Sequence, residues 1–225
     1  FSCNKKIEEV SQEDIIKWLE NLKVKAKTKK IRFYCVKKFF EFCNRKDVFS
    51  NLKIRFICQE KLPIILTEDE VKKVVELLPY AYDRAFFALL YESGARISEF
   101  VKIDKNDVQF DEHGAVIILR GKTGERRIRI KKYVEWLRML FQFRDKPFAI
   151  SYGKIRKIFE KASEILGRKV HPHLLRHSRA THLAKYLTEA QLKAYFGWTQ
   201  NSEMTKIYVH LSGRDIDEAI LRIPE

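Results

Sequence analysis

A chain of 225 residues with 45% hydrophobic content can bury one large core or two modest ones. Its charge is lopsided, 45 Lys and Arg against 30 Asp and Glu, so a polyanion is the first partner to expect, nucleic acid ahead of an anionic membrane surface. No apolar run approaches the roughly 18 residues that cross a bilayer, and the polar opening FSCNKKIEEV is not a signal peptide.

A cytoplasmic protein follows as the expectation. The chain opens on Phe1 rather than Met, which is compatible with a longer parent. Cys3, Cys35, Cys43 and Cys58 match neither a zinc knuckle nor a disulfide scaffold, and are expected to be reduced and mostly buried.

The first segment reads as helices. Ser11, with Asp14 three residues on, opens a stretch that puts Ile15, Trp18, Leu19 and Leu22 on one face. A second helix is predicted from about Thr28 to Asn44, with Ile31, Cys35, Phe39 and Phe42 as its buried stripe. Around its start, KVKAKTKKIRFYCVKK carries no acid; Lys25, Lys27, Lys29, Lys30 and Arg32 are read there as a phosphate-facing surface. Residues 1–55 are taken as this helical domain and 56–66 as a linker.

Residues 67–225 then read as a second, mostly helical domain. Thr67 and Glu70 form a capping box. Helical periodicity holds up to YESG, and short strand-like runs DVQF, AVIIL and RRIRI follow, the last two flanking a hairpin turn in RGKTGE. Four further helical stretches complete the chain. The expected fold is mainly α with a small antiparallel β-sheet.

The stretch HPHLLRHSRATH offers two chemistries. His173 and His177 share a helix face at a spacing that can hold a metal. The stretch contains no Asp, Glu or Cys, and Arg176 adds a positive charge, so it argues against a metal site. As an anion grip it fits better. Pro172 suits a first helical turn, and His173 and Arg176 project together from a helix start. Taken alone, the pair is equally compatible with a capping histidine and a surface ion pair.

Other groups join it in order. LLYESGARISEF sets Arg96 just past a glycine turn, with Glu99 three residues on; GKTGERRIRI presents Lys122 at a hairpin tip; YFGWTQNSEMTKIYVH holds Trp198 and Tyr208. This order, over about residues 62–212, resembles the tyrosine recombinases, of the phage-integrase and Xer-like kind found in archaea and mobile elements. The helical first segment looks like that family's core-binding domain, giving a two-domain recombinase architecture. Two departures stand out. Many members carry His where Trp198 stands, and the gap from Trp198 to Tyr208 is one residue longer than usual.

The resemblance implies DNA strand exchange through a covalent 3′-phosphotyrosine, without metal, nucleotide or other cofactor. It implies action as a homotetramer on double-stranded DNA with an inverted-repeat site. Tyr208 would be the nucleophile; Arg96 and Arg176 would offer planar forks of donors to the phosphate oxygens. Lys122 would be the general acid, His173 a base or further phosphate donor, Trp198 an N–H donor, and Glu99 a support for Arg96. Arg120, Arg126, Arg127 and Arg129 are read as DNA-backbone contacts, Lys131 and Lys132 likewise. Tyr186, Tyr195, Trp18 and Trp136 are assigned to the core, and His177 and His182 to helix packing or surface. The tail through Ile216, Ala219 and Ile220 has a short helical pattern suited to docking on its own or a neighbouring subunit. The rival readings are a type IB topoisomerase and a non-catalytic DNA-binding protein; a membrane-surface role ranks last.

Overall fold

The computed structural model describes residues 5–57, 64–121 and 124–212, without the side chains of 210–212. The chain divides into two compact units, Phe1–Lys61 and Leu62–Glu225.

In the first unit, Ser11 caps helix α1 (Gln12–Asn21) through the predicted box, its backbone N–H donating to Asp14 at 2.9 Å. Helix α2 spans Ala26–Phe42 and leads into a short 3-10 turn, Lys46–Phe49. Phe49 packs edge-on against Phe33 and Phe40, with ring centroids 5.5 and 5.7 Å apart, and Ile15 and Leu19 close the cluster.

The expected stripe on α2 is reversed. Ile31, Cys35, Phe39 and Phe42 are exposed, Phe42 to 86%, whereas Phe33 and Phe40 are buried. The helix is apolar on two opposite faces, and the returning Phe49 selects the one carrying Phe33 and Phe40. Cysteine burial is corrected with it, since Cys35 is exposed and Cys43 half-buried; Cys3 and Cys58 lie outside the described residues.

In the second unit, Thr67 caps α3 (Glu68–Leu77), accepting from the Glu70 N–H at 3.1 Å, and Glu70 returns a contact to the Thr67 N–H at 2.9 Å. Arg168 donates to the same carboxylate at 2.6 Å, tying the start of α3 to the chain just beyond α7. Helix α4 (Ala81–Ser93) is buried continuously from Ala85 and forms the centre of the core. Around it lie the short α5 (Ile97–Phe100), α6 (Val134–Phe143), α7 (Tyr152–Leu166) and α8 (Pro172–Ala184). Phe100 and Phe148 pack with ring centroids 4.2 Å apart.

The sheet is a meander of β1 (Val108–Asp111), β2 (Gly114–Gly121) and β3 (Gly124–Ile130), antiparallel in the order β1-β2-β3. Its buried side chains include Ala115, Ile117, Leu119, Ile128 and Ile130. A smaller cluster, Ala180, Ala184, Leu192, Phe196 and Tyr208, joins α8 to α9 (Glu189–Phe196) and α10 (Met204–Ser212). The structure is therefore mainly α with one small antiparallel sheet.

Among side chains assigned to the core, Trp18 and Trp136 are partly buried against it. Tyr186 is not: it lies in the turn after α8 and is 76% exposed. The helix ends at Ala184, so the period that carried Tyr186 inward stops before it.

The Thr67 box predicts that Thr67→Ala costs about 1 kcal/mol, read as a fall in the denaturant midpoint at unchanged slope, while Thr67→Ser is close to neutral.

Candidate active site

Helix α4 ends on Gly94 in the left-handed region, φ 57°, where a Cβ would lie 2.7 Å from Phe196 Cε1. The turn delivers Arg96 to the start of α5, and Glu99 three residues on reaches back to it. The Glu99 carboxylate accepts the Arg96 backbone N–H at 2.9 Å and its guanidinium at 2.8 Å. Arg126 of β3 donates to both oxygens of the same carboxylate, at 2.9 and 2.8 Å. Burial alone would raise the Glu99 pKa, but the Arg126 and Arg96 hydrogen bonds overcome it and hold it at about 2. Gly121, at the end of β2, packs over this group, since a Cβ there would lie 2.4 Å from Glu99 Oε1.

Helix α8 begins as expected with Pro172 in its first turn, but its cap is His171, whose Nδ1 accepts the Leu174 N–H at 3.1 Å. His173 is thereby released from capping and stands exposed on the first turn. Arg176 points inward and is 6% exposed, donating to Gly94 O at 2.8 Å and Phe196 O at 2.5 Å. It has no carboxylate ion pair among the described residues. Burial first, then the charges of Arg96 and Arg126, lowers its pKa to about 9. Arg96 and Arg126 thus share one carboxylate with a third guanidinium, Arg176, close by and held only by carbonyls, and the surplus positive charge is the electrostatic signature of an anion site.

Helix α9 stops at Gly197, φ 61°, and the chain turns into Trp198. The Trp198 ring stacks on Phe196 and on Tyr208, with centroids 4.9 and 5.2 Å away. Tyr208, on α10, is 1% exposed, and its hydroxyl hydrogen-bonds His177 Nδ1. Burial raises the phenol to about 12, with Arg176 opposing. Burial, followed by the charges of His173, His171 and Arg176, lowers the imidazole pKa of His177. The pair is therefore a neutral imidazole hydrogen-bonded to a protonated phenol, the tautomer of His177 deciding which of the two donates.

The structure gathers Arg96, Glu99, Arg176, Trp198 and Tyr208 around the junction of α5, α8 and α9, with His173 at the start of α8. Lys122 lies outside the described residues, as does the tail beyond residue 212, including Ile216, Ala219 and Ile220. Lys25, Lys27, Lys30 and Arg32 are exposed on or beside α2, and Lys29 is half-buried. Arg127 is exposed, while Arg120 pairs with Asp107 and Glu125, and Arg129 with Asp111.

Two assignments are corrected. Arg126 is not a DNA-backbone contact: its side chain is 7% exposed and bound to Glu99. Strand alternation carried the signal, because Arg126 shares a face with the buried Ile128 and Ile130, opposite Arg127 and Arg129. His177 is not generic packing but the partner of Tyr208, which only the path of α10 decides. His182 is buried and bonded to the Tyr91 hydroxyl at 2.6 Å. The backbone N–H groups of Lys131 and Lys132 both donate to the buried Glu92, which also pairs with Arg179 of α8. Glu92 and Arg179 lie inside the quoted stretches but are not among the residues expected at the site.

The description "Phage integrase family" matches residues 65–214. The tyrosine recombinase XerA of Pyrococcus horikoshii is 30% identical over 200 residues, covering 82% of this chain and 70% of the relative. That of Pyrococcus furiosus is 27% identical, covering 93% and 79%. Among solved structures, the XerH site-specific recombinase in a post-cleavage complex with its difH substrate shares the fold. Its TM-score is 0.72 at 21% identity, over 96% of this chain and 73% of that one. The XerA recombinase structure superposes at a TM-score of 0.59 and 21% identity, over 99% and 87%.

Fold and site together define a strand-exchange class of enzyme, the tyrosine recombinases. More particularly, the chain belongs to the phage integrase family.

The depressed Glu99 pKa has a sign that can be tested. Its contribution to stability is complete above the ordinary value of 4.5 and is lost as pH falls towards about 2. The stability gap between wild type and Glu99→Gln should therefore narrow across that window in acid denaturation curves; a gap independent of pH would contradict the assignment.

Proposed function

We propose that this chain is a site-specific DNA recombinase that cuts and rejoins strands through a 3′-phosphotyrosine at Tyr208. The observation that carries this reading is the buried Arg176, held by two carbonyls and flanked by Arg96, so that its charge awaits an anion. A scissile phosphodiester supplies that anion. Arg96 and Arg176 donate to its non-bridging oxygens, where charge gathers in the transition state.

Tyr208 Oη attacks phosphorus and gives up its proton as the bond to the 5′-oxygen breaks. Lys122 protonates that leaving oxygen, and rejoining runs the same steps in reverse. His173 is the base or a further donor to the phosphate, Trp198 donates its indole N–H, and Glu99 holds Arg96. The two arginines provide the charge stabilisation, so the reading calls for neither metal nor nucleotide. Tyr208 is covered in the geometry described, so its hydroxyl must leave His177 and turn outward before attack.

Lys25, Lys27, Lys29, Lys30, Arg32, Arg120 and Arg127 are assigned to the DNA backbone, where cations fix position without reading sequence. Double-stranded DNA with an inverted repeat, a homotetramer assembled on it and a cytoplasmic setting complete the proposal. The XerH and lambda integrase structures, the latter a tetramer on a Holliday junction, are the likenesses behind that assembly. Among the described residues no helix is long and apolar enough to cross a membrane. Residues 1–55 are proposed as the core-binding domain, 56–66 as the linker and 67–225 as the catalytic domain.

The test is a covalent trap: protein in EDTA with fragmented DNA from its source, stopped with SDS, and the attached DNA sequenced. An adduct at one short inverted-repeat site is expected, lost entirely in Tyr208→Phe while DNA binding persists. Adducts scattered over many sequences would instead indicate a topoisomerase, and binding without any adduct would indicate a non-catalytic protein.

A further inference from the structure

Arg126 is linked to both arginines assigned to the phosphate through shared or adjacent partners. Its guanidinium donates to the two Glu99 oxygens at 2.9 and 2.8 Å, and its Nε donates to Tyr195 O at 2.9 Å. A Cβ on Gly197 would lie 3.1 Å from Arg126 Cδ and 3.3 Å from its Nη1, so the residue before Trp198 rests directly on this side chain. The adjacent carbonyl, Phe196 O, is taken by Arg176. Two guanidinium groups therefore hold the last turn of α9, the end where a helix dipole favours cations. On its other side Arg126 shares the carboxylate that supports Arg96.

We propose that Arg126 is a positioning residue for both phosphate-binding arginines. By sharing Glu99, it keeps that carboxylate from closing as a full two-bond pair on Arg96, which would withdraw the Arg96 charge from the phosphate. By holding Tyr195 O, it fixes the carbonyl next in line, and with it Arg176 and Trp198. The proposal rests on reading Arg96 and Arg176 as phosphate ligands and adds a residue that never faces DNA.

The experiment compares wild type, Arg126→Gln and Arg126→Gln/Glu99→Gln in two measurements. One is the affinity for inorganic phosphate, from the rise in thermal midpoint. The other is single-turnover adduct formation on the trapped DNA site, with the scissile phosphate either ordinary or a methylphosphonate. Arg126→Gln should weaken phosphate binding and slow cleavage by about tenfold or more, the scale of one charge-assisted hydrogen bond. Affinity for unrelated duplex DNA should stay within about twofold, since a buried arginine neutralises no backbone phosphate.

On the methylphosphonate, which lacks one charged oxygen, the cleavage loss should shrink. Removing Glu99 as well should recover part of both losses, because the unshared carboxylate is gone. Equal loss on both substrates, or a double variant worse than Arg126→Gln, would reduce Arg126 to packing and overturn the proposal. Should Arg126→Gln not fold, Arg126→Lys keeps the charge but cannot span Glu99 and Tyr195 O, and the same pattern is expected. A wild type that forms no adduct but follows the phosphate pattern would sink the recombinase reading and leave the positioning role standing. Normal cleavage by every variant would do the reverse.

Discussion

The buried carboxylate of Glu99, shared between Arg96 and Arg126, is the interaction on which the rest of the site depends. A carboxylate this deep is tolerable only when ionised against cations and fully hydrogen-bonded. Glu99 meets that condition with one backbone N–H and two guanidinium groups. In doing so it joins three elements far apart in sequence. These are the turn after α4, the turn end of the β2–β3 hairpin and, through Arg126, the end of α9.

The same group sets the electrostatics. One negative charge stands among three guanidinium groups, and the third, Arg176, is anchored by the carbonyls of Gly94 and Phe196 instead. Carbonyls orient a guanidinium without neutralising it, so the charge stays available to an incoming anion. The cost appears as the lowered pKa of Arg176, driven by burial and by its cationic neighbours. Trp198 and Phe196 line this cation with aromatic faces, at 5.9 and 5.1 Å from their ring centroids. The stack continues to Tyr208, so the phenol is packed beside the charge while its hydroxyl is turned to His177.

Local chemistry made much of this legible in one dimension. Capping boxes at Ser11 and Thr67, the glycine hairpin and the proline at the start of α8 are written within a few residues of where they act. Arg96, His173, Arg176, Trp198 and Tyr208 stood out because their types, order and spacing resemble those of the family. The errors have a common origin. Helix α2 is apolar on two faces, and only the return of Phe49 chooses between them. Arg126 is one of four arginines on a strand pair, and only its alternation with Ile128 and Ile130 distinguishes it from the exposed ones.

What the sequence by itself determined, then, was the set of elements, the excess of positive charge and which side chains could handle a phosphate. These follow from short-range rules of capping, periodicity and functional-group chemistry. Only the tertiary structure decided which arginine faces inward, which carbonyls hold Arg176, and that His177 rather than His173 meets Tyr208. Each of those outcomes joins residues tens of positions apart. It is settled by the requirement that every buried charge and hydroxyl find a partner, a condition that exists only once the chain has closed on itself.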